Sequence, residues 1–265
     1  MITVLMYHAI PDDGPVQPGA DPHYSVGLRD FERQLGLMRT LGLRPSSVAE
    51  LLVTPVSGRA AVAITFDDGH VTNHAAAASL HAAGGSADFF INPSTVGTPG
   101  FLSWAQLREM AGWGMSIQSH GMHHHFLNDL GPAEVRAELA DSKSEIEARL
   151  GRAVTLYAPA GGRVVPGLHS LALGLGYERI CSSRVDLWDE AAELAGDDSD
   201  DIPRLAMLAG TQDAQLQRWL RQSRLEMTWQ TGRHALLRSA KQALGNRAYV
   251  LLRGRLLRSR GEGQA

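Results

Sequence analysis

The stretch that most constrains this chain is Ala61-Val62-Ala63-Ile64-Thr65-Phe66-Asp67-Asp68-Gly69. Small, β-branched and aromatic residues run straight into two adjacent carboxylates and a glycine. That order predicts a buried strand that ends by presenting both acids at one point. Gly69 lets the backbone turn sharply behind them. Neighbouring carboxylates repel, so one of the two needs a cation or a proton. A metal would resolve the conflict by ligating one Asp and leaving the other as a base. The same pair could instead be a helix-capping Asp and a turn Asp ahead of the alanine-rich segment Val71–Ala83. A second cluster tips the balance toward metal: Ser119-His120-Gly121-Met122-His123-His124-His125 follows another predicted strand.

The rest of the chain alternates in the same way. Strands are expected at Ile2–Tyr7, Ala61–Phe66, Ala87–Ile91, Met115–Ser119, Val154–Ala158, Tyr177–Ser182 and Ile202–Leu208. Helices are expected at Leu28–Leu41, at Ser47–Leu52, at Val71–Ala83, from Ser103 to near Gly112, from Pro132 to Leu150, at Leu168–Leu175, and from a Thr211 cap to Arg221. Ser103 with Gln106 has capping-box spacing, Pro132 suits a first helical turn, and Gly151 a helix end. Asp186–Asp201 reads as a solvated acidic loop. Seven strands, most followed by a helix, argue for an α/β fold with parallel strands: a distorted (β/α)7 barrel. No glycine-rich phosphate loop follows the early strands, so nucleotide binding is not expected. The polar residues of interest fall where strands end: His8, Asp67 and Asp68, Asn92, His120–His125 and Tyr157–Gly162. In a barrel those ends converge on one face.

Composition narrows the function classes. At 265 residues the chain suits one large domain with a sizeable core. A single cysteine, Cys181, excludes an internal disulfide framework and a thiolate-rich zinc site. No apolar run is long enough to span a bilayer. Met1 leads at once into a strand, without the basic segment of a secretory leader, so a cytoplasmic protein is expected.

Asp68, His120 and His124 can offer one oxygen and two nitrogens, the three-ligand pattern of a catalytic zinc site with an open position. His120 with His123 would also fit, with His125 a bystander. A divalent ion there would bring the pKa of a bound water to about 7 and polarise a carbonyl. Asp67 could then take a proton from that water. His8 is the candidate acid toward a leaving amine.

These residues match a pattern. The chain resembles the polysaccharide deacetylases, the NodB-homology or carbohydrate esterase 4 family. Thr65-Phe66-Asp67-Asp68-Gly69 is similar to that family's first motif, in which the first Asp is the base and the second a metal ligand. Ser119-His120-Gly121-Met122-His123-His124 is similar to the second, in which histidines four apart complete the ligand set. The resemblance therefore selects His120 and His124. Leu156-Tyr157-Ala158-Pro159-Ala160-Gly161 resembles the third motif. It implies that Tyr157, Pro159, Gly161 and Arg163 line the substrate groove and that the Ala160 N–H helps to hold the oxyanion. The opening Val4-Leu5-Met6-Tyr7-His8 and the phrase Phe31-Glu32-Arg33-Gln34-Leu35 resemble the exopolysaccharide deacetylases acting on poly-N-acetylglucosamine. In that subgroup the histidine that others carry near the C-terminus comes from the first strand. The third motif usually includes an Arg that pairs with the base. Here Tyr157 stands in its place, and Arg163 or Arg204 are the candidates to supply the charge. No Asp-x-x-Asp-Trp fourth motif is present, and Asp186-Leu187-Trp188 is a poor substitute.

The resemblance implies metal-dependent hydrolysis of an N-acetyl group on a saccharide, with zinc as the first choice of ion and cobalt or nickel as alternatives. A catalytically inactive sugar-binding module, or a hydrolase of another small amide or an O-acetyl ester, are the competing expectations. Residues 1–227 are expected to form the catalytic barrel and 228–265 a basic helical extension. The net charge of −3 conceals an asymmetry. From Thr228 onward eight Lys/Arg and one acid give 8 − 1 = +7, leaving −3 − 7 = −10 for residues 1–227. The acidic body speaks against nucleic acid as a partner. The extension, with Leu236, Leu237, Leu244, Leu252 and Leu256 among its arginines, suits peripheral docking through 228–260 on an anionic inner membrane face. The expected result is flotation of the full chain with anionic liposomes and none for a 1–227 truncation. Equal flotation of the two would exclude docking by the tail.

Overall fold

The computed structural model describes residues 1–12, 18–56, 59–189 and 201–223. The expected helical extension, and the membrane contact drawn from it, lie outside these residues. Nine strands form one sheet: β1 (Ile2–Tyr7), β2 (Pro45–Ser46), β3 (Ala61–Phe66), β4 (Asp88–Ile91), β5 (Ser116–Ser119), β6 (Leu156–Tyr157), β7 (Arg179–Cys181), β8 (Asp201–Ile202) and β9 (Leu205–Ala206). Their order is β8-β7-β6-β5-β4-β3-β1-β9, with β2 added beside the start of β3. Every pairing in this order is parallel. The connections carry helices: α1 (Leu28–Thr40), α2 (Val48–Val53), α3 (Asn73–Ala82), α4 (Trp104–Gly112), α5 (Pro132–Leu150), α6 (Leu168–Gly174) and α7 (Asp213–Leu220). The expected parallel α/β barrel is therefore present in a distorted form.

Its ends meet in an unexpected way. The sequence reads Ile202–Leu208 as one strand, but the run splits. Asp201 and Ile202 pair with Ile180 and Cys181 on one edge of the sheet, whereas Leu205 and Ala206 pair with Leu5 and Met6 on the other. One short segment thus reaches both edges and closes the curl. Pro203, which has no N–H to give a ladder, stands at the break. The Arg204 N–H leaves the ladder and donates to the Arg184 carbonyl at 2.9 Å.

All six residues of β1 and all four of β4 are buried, as expected for parallel strands covered on both faces. The period-2 alternation then sorts the side chains. Ile2, Val4, Ala63, Phe90, Leu156, Ala158, Cys181 and Ile202 form one interior cluster with Val48 and Leu51 of α2. Alternate residues face the helices, where the Phe66 and Phe89 rings stack at 4.6 Å and Phe31 of α1 meets Phe66 edge-on. Trp188, expected in a solvated loop, belongs to the interior instead. It is 2% exposed, and its backbone exchanges two hydrogen bonds with Ile2. The apolar pattern of 186–188 is too short to show periodicity, which is why composition misreads it.

Helix ends follow local chemistry. The Ser103–Gln106 capping box forms, Pro132 opens α5, and Gly151 closes it in the left-handed region at φ 63°. Thr211 does not cap α7. Gln212 holds that position, and the Thr211 hydroxyl accepts from the Leu208 N–H. No helix among the described residues is long and apolar enough to cross a membrane.

Asp88 is the charged group that the interior holds most deeply away from the strand ends of interest. It accepts from the N–H groups of Val48 at 2.5 Å and Ala49 at 3.4 Å, at the start of α2. Burial pushes its pKa up to about 7, against the bonds from Ser116, Val48 and Ala49. The folded state therefore binds a proton that the unfolded chain releases at a lower pH. The stability from this proton is complete below pH 3.8 and is lost as pH rises through about 7. Unfolding free energy should fall by at most about 1.4 kcal/mol per pH unit across that window. Asp88→Asn should flatten the slope in urea titrations at pH 5 and pH 8, and an unchanged slope would remove Asp88 as its source.

Candidate active site

The site forms where β1, β3, β4, β5 and β6 end. The Asp67 N–H donates to the Tyr7 carbonyl at 3.0 Å, continuing the β1–β3 ladder by one residue. Alternation places its side chain with those of Ala63 and Thr65, facing the interior, where it is 3% exposed. There it meets Arg204. The guanidinium donates from Nη1 to Asp67 Oδ1 at 2.7 Å and from Nη2 to Oδ2 at 3.0 Å, a forked pair. Its remaining donors reach the Ser182 carbonyl at 2.9 Å and the Thr65 hydroxyl at 3.3 Å. Of the two candidates for the missing charge, Arg204 is the one that reaches Asp67. Arg163 donates to Asn128 and lies 4.2 Å over the Phe126 ring.

At Asp68 the chain leaves the strand through the left-handed region, with φ of 71° at Asp68 and 68° at Gly69. Aspartate tolerates this region better than most residues, and the turn aims its carboxylate back across the strand ends. Asp68 Oδ1 lies 3.3 Å from His120 Nε2 and 3.2 Å from His124 Nε2. His120 extends the β4–β5 ladder through its N–H to the Ile91 carbonyl at 2.9 Å. Its Nδ1 donates to the Ala158 carbonyl at 2.7 Å, which turns Nε2 toward Asp68. Asn92 fixes the following turn by donating to the carbonyls of His120 at 2.7 Å and Gly121 at 3.0 Å. His124 reaches Asp68 through its own left-handed backbone, at φ 59°.

The electrostatics hold both acids ionised. Burial works against the Asp67 carboxylate, but Arg204, His120 and His8 overrule it and hold its pKa below the usual range. Burial also opposes the Asp68 charge, yet bonds to His120 and His124 pull its pKa well below that range. Burial disfavours the His120 imidazolium, and Asp67 and Asp68 nevertheless raise its pKa. One carboxylate oxygen and two imidazole nitrogens converge within 4.8 Å of one another. With the His120 Nδ1 proton committed to Ala158, this donor set fits a divalent transition ion.

The other expected residues fall around this centre in different ways. His8 ends β1 with its ring 4.6 Å from that of Tyr24, and its buried Nδ1 finds no partner among the described residues. Burial pushes its pKa down, while Asp67 and Asp68 pull it up. Ala160 is buried in the turn after β6, and among the described residues nothing accepts from its N–H. Tyr157 and Pro159 are buried rather than open to solvent, and Tyr157 packs on Tyr177 at 5.6 Å. Gly161 is exposed, with φ 60°, and a Cβ there would come within 2.8 Å of the Phe126 ring. Phe126, 38% exposed, sits between His124 and Arg163 and forms an aromatic wall that the sequence reading missed. Glu138 of α5 was also missed. It stands at 5% exposure beneath His123 and His125. Its place on the buried face with Val135, Leu139, Ser142 and Ile146 is a signal that helical spacing carries.

The curled parallel sheet with its helices is a distorted, NodB-like (β/α) barrel. Residues 56–180, which hold Asp67, Asp68, His120 and His124, match the polysaccharide deacetylase family model. YxkH of Bacillus subtilis, whose name places it among the polysaccharide deacetylases, is 29% identical over 182 residues, covering 67% of this chain and 62% of YxkH. The chain thus spans less than two thirds of that relative. Three solved structures share the fold. A polysaccharide deacetylase from Bacillus cereus has a TM-score of 0.73 at 22% identity, covering 83% of this chain and 68% of its own. The Streptococcus pyogenes deacetylase PplD in complex with acetate has 0.70 at 23%, covering 83% and 97%. IcaB from Ammonifex degensii has 0.65 at 20%, covering 83% and 95%.

Removing Arg204 tests the charge pairing. Arg204→Met would leave Asp67 buried and unpaired and should cost about 3–5 kcal/mol in urea unfolding. Adding Asp67→Asn should recover part of that loss. A single variant as stable as wild type would show that Arg204 does not carry the pair.

Proposed function

We propose that the chain is a metal-dependent deacetylase that hydrolyses the N-acetyl group of an amino sugar in a polysaccharide or lipid-linked saccharide. The observation that carries this reading is the Asp68–His120–His124 donor set beside an ionised, arginine-paired Asp67. A divalent ion held by Asp68, His120 and His124, zinc first and cobalt or nickel as alternatives, would acidify water and polarise a carbonyl oxygen. Asp67 takes the proton of the attacking water. Its depressed pKa makes it a weak base, but Arg204 keeps it charged and fixed in direction. The free Ala160 N–H donates to the amide oxygen as it becomes anionic. His8, whose ring nitrogen has no competing partner among the described residues, passes a proton to the leaving amine. Water and amide become acetate and a free amine. Phe126, flanked by Arg163, offers an apolar wall for the flat face of a sugar ring. The family-model match over residues 56–180 and the likeness to YxkH support deacetylation. The Streptococcus pyogenes deacetylase of the same fold holds acetate, which is the product expected here.

The inactive sugar-binding reading drew on the Arg missing from the third motif. Arg204 fills that place, so its main support is gone. An O-acetyl ester or another small amide would suit the same groups and is separated by substrate.

The experiment pairs metal content with turnover. Purified protein supplied with zinc should hold one ion more per chain than His124→Ala. Wild type should release acetate from N-acetylglucosamine oligomers faster than from O-acetylated sugars. Asp67→Asn should keep the metal and lose at least roughly 10²-fold in turnover, the low end for a general base. No bound ion with zinc or cobalt, or full turnover by Asp67→Asn, would overturn the mechanism.

A further inference from the structure

We propose that His123, His125 and Glu138 form a second metal site, distinct from the Asp68 centre and taking a divalent transition ion of the zinc, cobalt, nickel or copper kind. The three residues offer two nitrogens and one oxygen within 4.8 Å of one another. Glu138 Oε1 lies 2.7 Å from His123 Nδ1 and 3.3 Å from His125 Nδ1. Ligands bound tetrahedrally at zinc distances stand about 3.3 Å apart. The His125 spacing matches this, and the His123 Nδ1–Oε1 hydrogen bond at 2.7 Å opens by about 0.6 Å to admit an ion.

Four further features suit ligation. Glu138 is 5% exposed, and its second oxygen accepts the His123 N–H at 2.9 Å, which fixes Oε1 toward the two rings, His123 Nδ1 lying 2.7 Å from it. The two imidazoles are nearly parallel, 22° apart with centroids at 5.4 Å, and both aim Nδ1 at that oxygen. They are 52% and 57% exposed, so ions can enter and water can complete the coordination. Gly121, at φ 85°, makes room for the carboxylate, since a Cβ there would sit 3.0 Å from Glu138 Oε2. Imidazole nitrogens with one carboxylate favour borderline transition ions over calcium or magnesium.

The placement gives the ion a task. His124 lies between His123 and His125 in sequence and turns to Asp68 while they turn to Glu138 on α5. An ion at this site ties the loop to the helix and holds His124 where the first site needs it.

The test is a zinc titration of the full chain by equilibrium dialysis and calorimetry. Wild type should bind two ions. His125→Ala, whose described contacts are only Glu138 and His123, should bind one and keep its circular dichroism. Glu138→Gln should also bind one. Asp68→Asn should bind one, and the Asp68→Asn/His125→Ala double variant none. With cobalt, His125→Ala should remove one part of the visible absorption and Asp68→Asn another. Equal stoichiometry in wild type and both His125→Ala and Glu138→Gln would overturn the proposal. An ion lost with His125→Ala but not with Asp68→Asn would support this site and count against the Asp68 centre.

Discussion

The buried pair between Asp67 and Arg204 is the contact on which the rest of this structure depends. Arg204 lies in the break between β8 and β9, the only described segment that pairs with both edges of the sheet. Its guanidinium crosses the interior to the end of β3 and also holds the Ser182 carbonyl beyond β7. Closure of the curl and orientation of the Asp67 carboxylate are therefore one event. Such a pair adds little net stability, because desolvating two charges offsets most of their attraction. What it supplies is direction. A carboxylate gripped at both oxygens has one orientation, and each oxygen keeps a second lone pair for a proton.

The grip has a chemical consequence. An arginine that keeps Asp67 ionised also makes it a weak base. A weak base is useful only toward a proton that is already easy to remove. The ion proposed for the Asp68 cluster beside it would answer that need, since water near a divalent ion is far more acidic than bulk water. The two acids of one dipeptide thus have opposite settings that depend on each other. Asp67 stays in strand geometry and faces the interior arginine. Asp68 turns through φ 71° and faces the histidines. One backbone rotation sends two repelling carboxylates to opposite partners, Asp67 to the arginine and Asp68 to the histidines.

Much of this was legible in the sequence. The 61–69 run and the 119–125 run carry their strand patterns and their chemistry on adjacent residues, so local reasoning reaches both. Caps at Ser103, Pro132 and Gly151 are local too, and they fall where their side-chain chemistry puts them. What escaped is what depends on long-range closure. Ile202–Leu208 has the composition of one strand, and its division is decided by two sheet edges that meet only in three dimensions. The choice of Arg204 over Arg163 follows from the same closure, because Arg204 is 137 residues from its partner in sequence. Thr211 has a capping residue's chemistry but spends its hydroxyl on Leu208.

The histidine run shows the limit most clearly. Sequence spacing puts His120 and His124 four apart, as on a helical turn, yet no helix forms there. Residues 120–125 are irregular, with Gly121 and His124 in the left-handed region. The reach of His124 to Asp68 comes from that irregular path, and so does the divergence of His123 and His125 toward α5. A helix would have set His120 and His124 on one stripe and left His123 beside them, competing for the same ion. The loop separates the donors instead, and it can do so because Asn92, Ser119 and Glu138 hold its backbone at three points. Selectivity among four histidines in six residues therefore resides in the neighbours that fix the loop rather than in the histidines themselves.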